Sequence, residues 1–149
     1  MSRPRLVMVA LLLLLGARQA EAACTLSATA VAFGAYDVYQ AGPTDSTGTV
    51  SYRCGNNDRN IRIAISKGTS GTFTSRTLKR AGTENLFYNL FYGGFTQVWG
   101  DGTGGTTIYF ENNPPNLKEV VLTVYGRIVP GQDVSVGGYT DTVMVTLEY

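Results

Sequence analysis

The sequence predicts an all-β fold, an antiparallel β-sandwich, on three observations. Apolar and polar residues alternate with a period of two along most of the chain. No stretch of eleven or more residues carries apolar positions at helical spacing. Turn-forming clusters (CGNNDRN, SKGTSG, YGGF, GDGTGG, NNPPN, PGQ) cut the chain into short pieces. Seven or eight such pieces with no helix between them suit two packed antiparallel sheets.

Each piece justifies itself by its alternation. TLSATAVAF (Thr25 to Phe33) reads as the first strand, and TGTVSYRC (Thr47 to Cys54) as the second, with Val50, Tyr52 and Cys54 on one face. NIRIAIS (Asn60 to Ser66) sets Ile61, Ile63 and Ile65 against Arg62 and Ala64. A weaker strand runs through TSRTLKR (Thr74 to Arg80). ENLFYNLFY (Glu84 to Tyr92) places Leu86, Tyr88, Leu90 and Tyr92 opposite Phe87, Asn89 and Phe91; both faces are apolar, as a central strand requires. TTIYF (Thr106 to Phe110) is short, and EVVLTVYGRI (Glu119 to Ile128) is long and β-branched. The chain stops on YTDTVMVTLEY (Tyr139 to Tyr149), with Val143, Val145, Leu147 and Tyr149 on one face and no cap after them.

Residues 1–22 have the three-part layout of a secretory signal. Arg3 and Arg5 precede an apolar run from Leu6 to Leu15, and Ala20-Glu21-Ala22 forms an A-x-A cleavage site. The run is too short for the roughly twenty helical residues that span a bilayer. Glu21, three residues before Cys24, disfavours a lipoprotein signal. Cleavage after Ala22 would leave residues 23–149 as a single domain. Arg3, Arg5, Arg18 and Glu21 leave with the signal, so 9 of the 12 basic and 10 of the 11 acidic residues remain. That balance argues against nucleic acid or an anionic membrane as partner. Cys24 and Cys54, an even pair in an exported chain, read as one disulfide.

Little catalytic chemistry is available. The chain has no histidine, which removes a histidine-dependent triad and most zinc sites. Asp101, Glu111, Asp133 and Asp141 could supply a carboxylate pair, but nothing in their spacing pairs them. No enzyme activity, cofactor or metal is expected. VWGDGTGGTT (Val98 to Thr107) lacks the alternating oxygen ligands of a calcium loop and reads as a turn needing positive φ at Gly100, Gly102 or Gly105. The nine tyrosines with Trp99 could form a sugar-binding patch, or could serve as strand-edge residues with wet hydroxyls.

CTLSATAVAFGAYD, DSTGTVSYRC, LFYNLFY, VWGDGTGG, LTVYGRIVPGQ and GGYTDTVMVTLEY occur in this order over nearly all of residues 23–149. Together they resemble the spore coat protein U domain family of secreted bacterial proteins, which includes subunits similar to archaic chaperone–usher pilins. The resemblance implies an immunoglobulin-like sandwich that lacks its final strand. It implies a secreted structural protein, a spore-coat or pilus-type subunit reaching the cell surface through the periplasm. Its partners would be a periplasmic chaperone, an outer-membrane usher and a neighbouring subunit that donates the missing strand. On that reading Leu26, Ala28 and Ala30 of the first strand and Val143, Val145 and Leu147 of the last flank the acceptor groove. The Tyr149 carboxylate would be the handle for the chaperone's basic residues. Only Ala23 would precede Cys24 after cleavage, so the chain would accept a strand and have none to give, as a terminal subunit does. The alternative is a secreted carbohydrate-binding module on a complete sandwich.

Overall fold

The computed structural model describes residues 24–81 and 83–149; the secretory signal expected over 1–22 lies outside them. The described strands are β1 (Thr25–Ala28), β2 (Thr44–Arg53), β3 (Ile61–Ile65), β4 (Arg76–Lys79), β5 (Asn85–Tyr92), β6 (Gln97–Val98), β7 (Tyr109–Glu111), β8 (Glu119–Ile128) and β9 (Val145–Glu148). A single 3-10 turn, Gly68–Ser70, interrupts them. No helix among the described residues is long and apolar enough to cross a membrane.

Two antiparallel sheets result. The larger runs β1-β2-β8-β5-β4, with β6 also on β5; the smaller runs β7-β3-β9. The spine of the larger sheet is the ten-residue pairing of β2 with β8, from Thr44 opposite Ile128 to Arg53 opposite Glu119. Alternation then sorts the faces. Val50, Tyr52, Leu86, Tyr88, Leu90, Val124 and Ile128 of the larger sheet meet Ile61, Ile63, Ile65 and Tyr109 of the smaller one. Phe87, on the other face of β5, is exposed. The Cys24–Cys54 disulfide joins the residues just outside β1 and β2. By chain-entropy arguments, closing a loop of this length contributes about 3–4 kcal/mol.

Both outermost strands are shorter than their alternation suggests, because each leaves its sheet. The first departs from β2 after the Thr29 N–H donates to the Thr49 carbonyl at 2.9 Å. Val31 and Phe33 then cross the inner face of the larger sheet over two glycines. A Cβ on Gly48 would lie 2.8 Å from the Thr29 carbonyl oxygen, and one on Gly126 only 2.6 Å from Val31 and 2.7 Å from Phe33. The crossing therefore needs glycine at both positions. At the other end Thr140 bridges to Lys79 of β4 through two hydrogen bonds of 2.7 and 3.0 Å. The chain then changes sheet: Ser66 N–H bonds the Met144 carbonyl, and Val145–Glu148 pairs with β3.

A buried cation fastens the sheets together. Arg76 of β4 is fully buried and makes no salt bridge among the described residues. Its Nε donates to Ser66 O at 3.0 Å, Nη1 to Asn89 Oδ1 at 2.6 Å, and Nη2 to Trp99 O at 2.7 Å and Ile65 O at 3.4 Å. The Phe73 ring lies 5.3 Å away, as a cation–π contact requires. Burial pushes the guanidinium pKa down. An Arg is suited to this place because its planar fork serves several carbonyls at once. Arg76→Met is expected to lower stability by about 3 kcal/mol or more, since buried carbonyls lose their donor. Urea unfolding of the disulfide-intact protein checks this, and an unchanged midpoint would contradict the clamp.

Candidate strand-accepting groove

The first strand's departure from β2 and the last strand's change of sheet leave a cleft along one side of the sandwich. One wall is the crossing arm, residues 28–39, and the other is the segment 134–145. Two adjoining cavities fill the space between them, of about 840 Å³ and about 300 Å³. The smaller is floored by Val50, Tyr88, Leu90 and Val124, the larger by Leu78, Leu86 and Ile128. Neither residues 30–36 nor residues 141–144 belong to a strand. Backbone donors and acceptors along such segments demand partners.

Of the residues expected to flank a groove, Ala28, Ala30, Val143 and Val145 line the smaller cavity. Leu26 sits on β1 opposite Tyr52, 36% exposed and beyond the lined stretch. Leu147 is paired with Ile63 and packs half-buried against the core. Tyr149 follows β9 and is exposed.

The walls are held by side chains that no local pattern singled out. The amide of Gln132 takes the place of a neighbouring strand for β5. It accepts from the Phe87 N–H at 2.7 Å and donates to the Phe87 carbonyl at 2.9 Å. The Gln132 N–H in turn donates to the Tyr36 hydroxyl at 2.8 Å, tying one wall to the other at the cleft's end. Glu84 gathers the second wall. It accepts from the Ser135 N–H (3.2 Å), the Ser135 hydroxyl (2.8 Å), the Tyr139 hydroxyl (3.1 Å) and Arg80 (3.0 Å). Asp141 accepts from the Tyr88 hydroxyl at 2.7 Å and from the Thr69 N–H and hydroxyl, each at 2.9 Å. Burial first, and then this bond to Asp141, push the Tyr88 pKa up.

Other candidates fall to structural roles. Trp99 is fully buried, donates its indole N–H to Ile63 O at 2.9 Å, and packs edge-on to Tyr92. It cannot stack on a sugar. Asp101 accepts from the Thr103 N–H and hydroxyl, closing the glycine turn in which Gly102, Gly104 and Gly105 take positive φ. Gly100 does not; it is packed against Thr106 instead. Glu111 accepts from the Asn113 N–H in a turn of its own. The one cluster of three metal-ligating residues among the described residues is Cys24, Cys54 and Asp58, and its sulfurs are already bonded to each other.

Glu84 makes the second wall pH-dependent. Bonds from Ser135 and Arg80 hold its pKa at about 2, below the ordinary 4.5. In the unfolded chain the carboxyl takes up its proton near 4.5, and in the folded chain only near 2. Its stabilisation is therefore complete above about pH 4.5 and is lost as pH falls towards 2. The stability difference between wild type and Glu84→Gln should be constant above pH 5 and shrink on acidification. A difference that does not change with pH, measured by urea unfolding, would contradict this role.

A sequence model of the spore coat protein U domain matches residues 10–146. No curated protein matches the chain. Among solved structures, a similar fold occurs in the complex of CsuC and CsuE, a chaperone–tip adhesion subunit pre-assembly complex from archaic chaperone–usher Csu pili of Acinetobacter baumannii. The TM-score is 0.59 and the identity 22%, over 85% of this chain and 39% of that one. The chain thus spans well under half the length of that relative. With a family match over most of its length and an immunoglobulin-like all-β sandwich, this chain belongs to the spore coat protein U domain family.

Proposed function

We propose that this protein is an exported structural subunit, of pilus or coat type, whose open side receives a β-strand from another chain. The observation that carries the reading is the cleft between residues 28–39 and 134–145, apolar at its floor and bordered by segments outside any ladder. An added strand would supply backbone bonds to both walls and place alternate side chains on the floor. Leu26, Ala28, Ala30, Val143, Val145 and Leu147 would flank it. The same cleft left empty is an aggregation hazard, which explains a need for a chaperone before assembly. That a similar fold occurs in a chaperone–subunit pre-assembly complex supports a periplasmic chaperone, an usher and a neighbouring subunit as partners. The route would be export on the residue 1–22 signal, passage through the periplasm, and placement at the cell surface. Cleavage after Ala22 would make the subunit an acceptor only. A mature start at Ala23 by mass spectrometry supports that role, and a start well upstream opposes it.

The test is a thermal melt of the disulfide-intact protein, alone and with excess alternating apolar peptide or its chaperone. Strand acceptance predicts a melting temperature raised by about 5 °C or more. Val145→Asp is expected to abolish the rise, because a charge facing the apolar floor costs several kcal/mol unless paired. A high, reversible melt indifferent to every added strand would overturn the reading.

A further inference from the structure

The strand-accepting reading leaves the chemistry of the occupant open, and the charges along the cleft narrow it. Twenty-one residues line the larger cavity and fourteen the smaller; among them the formal charges are two carboxylates, Asp37 and Asp141. No lysine or arginine lines either cavity. Asp141 lines both, so it stands where they meet, while Asp37 lines the larger alone.

Asp141 is held by neutral donors. Tyr88, Thr69 and the Thr142 N–H occupy its oxygens at 2.7 to 2.9 Å. They orient the carboxylate without neutralising it, and it makes no salt bridge among the described residues. The cation that feels it electrostatically, Arg76, has its donors committed to Ser66, Asn89, Trp99 and Ile65. Of the basic residues beside the walls, Arg80 is paired with Glu84, and Lys79 is exposed on the face of β4 opposite Leu78. Asp37 accepts from the Tyr39 N–H at 2.9 Å, again a neutral donor. A strand laid in the cleft strips water from these carboxylates. An apolar or acidic residue there leaves a charge uncompensated, whereas a basic one forms a charge-assisted bond.

Resting on the strand-accepting reading, we propose that the groove selects a cationic amphipathic strand. Its residues facing Val50, Leu90, Val124, Val143 and Val145 are apolar. The residue passing Asp141 is Lys or Arg, and the end towards Asp37 carries positive charge as well. Asp141 is the principal specificity determinant.

Three peptide series test this. All share one alternating apolar sequence, and Lys, Ala or Glu is moved through its positions one at a time. Binding to the disulfide-intact full chain is followed by isothermal titration calorimetry. At one position the Lys peptide should bind roughly tenfold tighter than the Glu peptide, an ordinary size for exchanging an attractive partly exposed pair for a repulsive one. The ratio should fall with added salt and collapse in Asp141→Asn, which keeps an acceptor oxygen for Tyr88 and Thr69. If Asp141→Asn melts abnormally, the salt dependence of the wild type decides. Equal affinities, or tightest binding by Glu, overturn the charge selection while leaving strand acceptance standing. Failure of every peptide to bind overturns strand acceptance and the selection with it.

Discussion

Backbone amides and carbonyls are obligatory hydrogen-bonding groups, and along one side of this sandwich two extended segments carry them outside any ladder. The segments are 30–36, where the first strand has left β2, and 141–143, before Met144 bonds Ser66 at the end of β3. Between them lie core side chains of the larger sheet, Val50, Tyr88, Leu90 and Val124. The occupant proposed for that space is a strand from another chain. The rest of the molecule is arranged so that the cleft keeps its shape with that position open.

Four devices do this, each at a different place. The glycine pair Gly48 and Gly126 lets Val31 and Phe33 lie flat on the larger sheet, which places the first wall. The Cys24–Cys54 bond fixes the start of that wall to β2. Glu84 and Gln132 draw the loop after β8 against β4 and β5, which places the second wall. Arg76 binds carbonyls at the end of β3 and after β6, which fastens the smaller sheet to β4. None of these groups faces the cavities as a reactive site. Their shared effect is to present one apolar trough with two carboxylates along it.

Much of this was legible in the sequence where the signal is local. The bounds of Glu119–Ile128 and the inward faces of Ile61, Ile63, Ile65, Leu86, Tyr88 and Leu90 follow from period two alone. The pairing of Cys24 with Cys54 follows from an even count in a chain expected to be exported. The departures at both ends were not legible. Thr25 to Phe33 and Tyr139 to Tyr149 each read as one continuous strand, while the first departure rests on Gly48 and Gly126, distant in the chain. Arg76 read as an ordinary polar residue in a weak strand, since its acceptors come from 10 to 23 residues away. Asp141 read as one scattered acid among four; only the fold sets it at the junction of the cavities, on the hydroxyl of Tyr88. Trp99 offered itself as a surface ring and proved to be core, because its indole N–H finds a carbonyl of β3.

Residues 30–36 and 141–143 are proposed as the two edges of an unfilled strand position. Hydrogen exchange by mass spectrometry, on the free protein and on its complex with a chaperone or donor strand, tests it most directly. Both segments should exchange fast in the free protein and gain protection together on binding, while β2 and β8 stay protected throughout. Slow exchange in both segments of the free protein, or protection confined to some other face on binding, would contradict it.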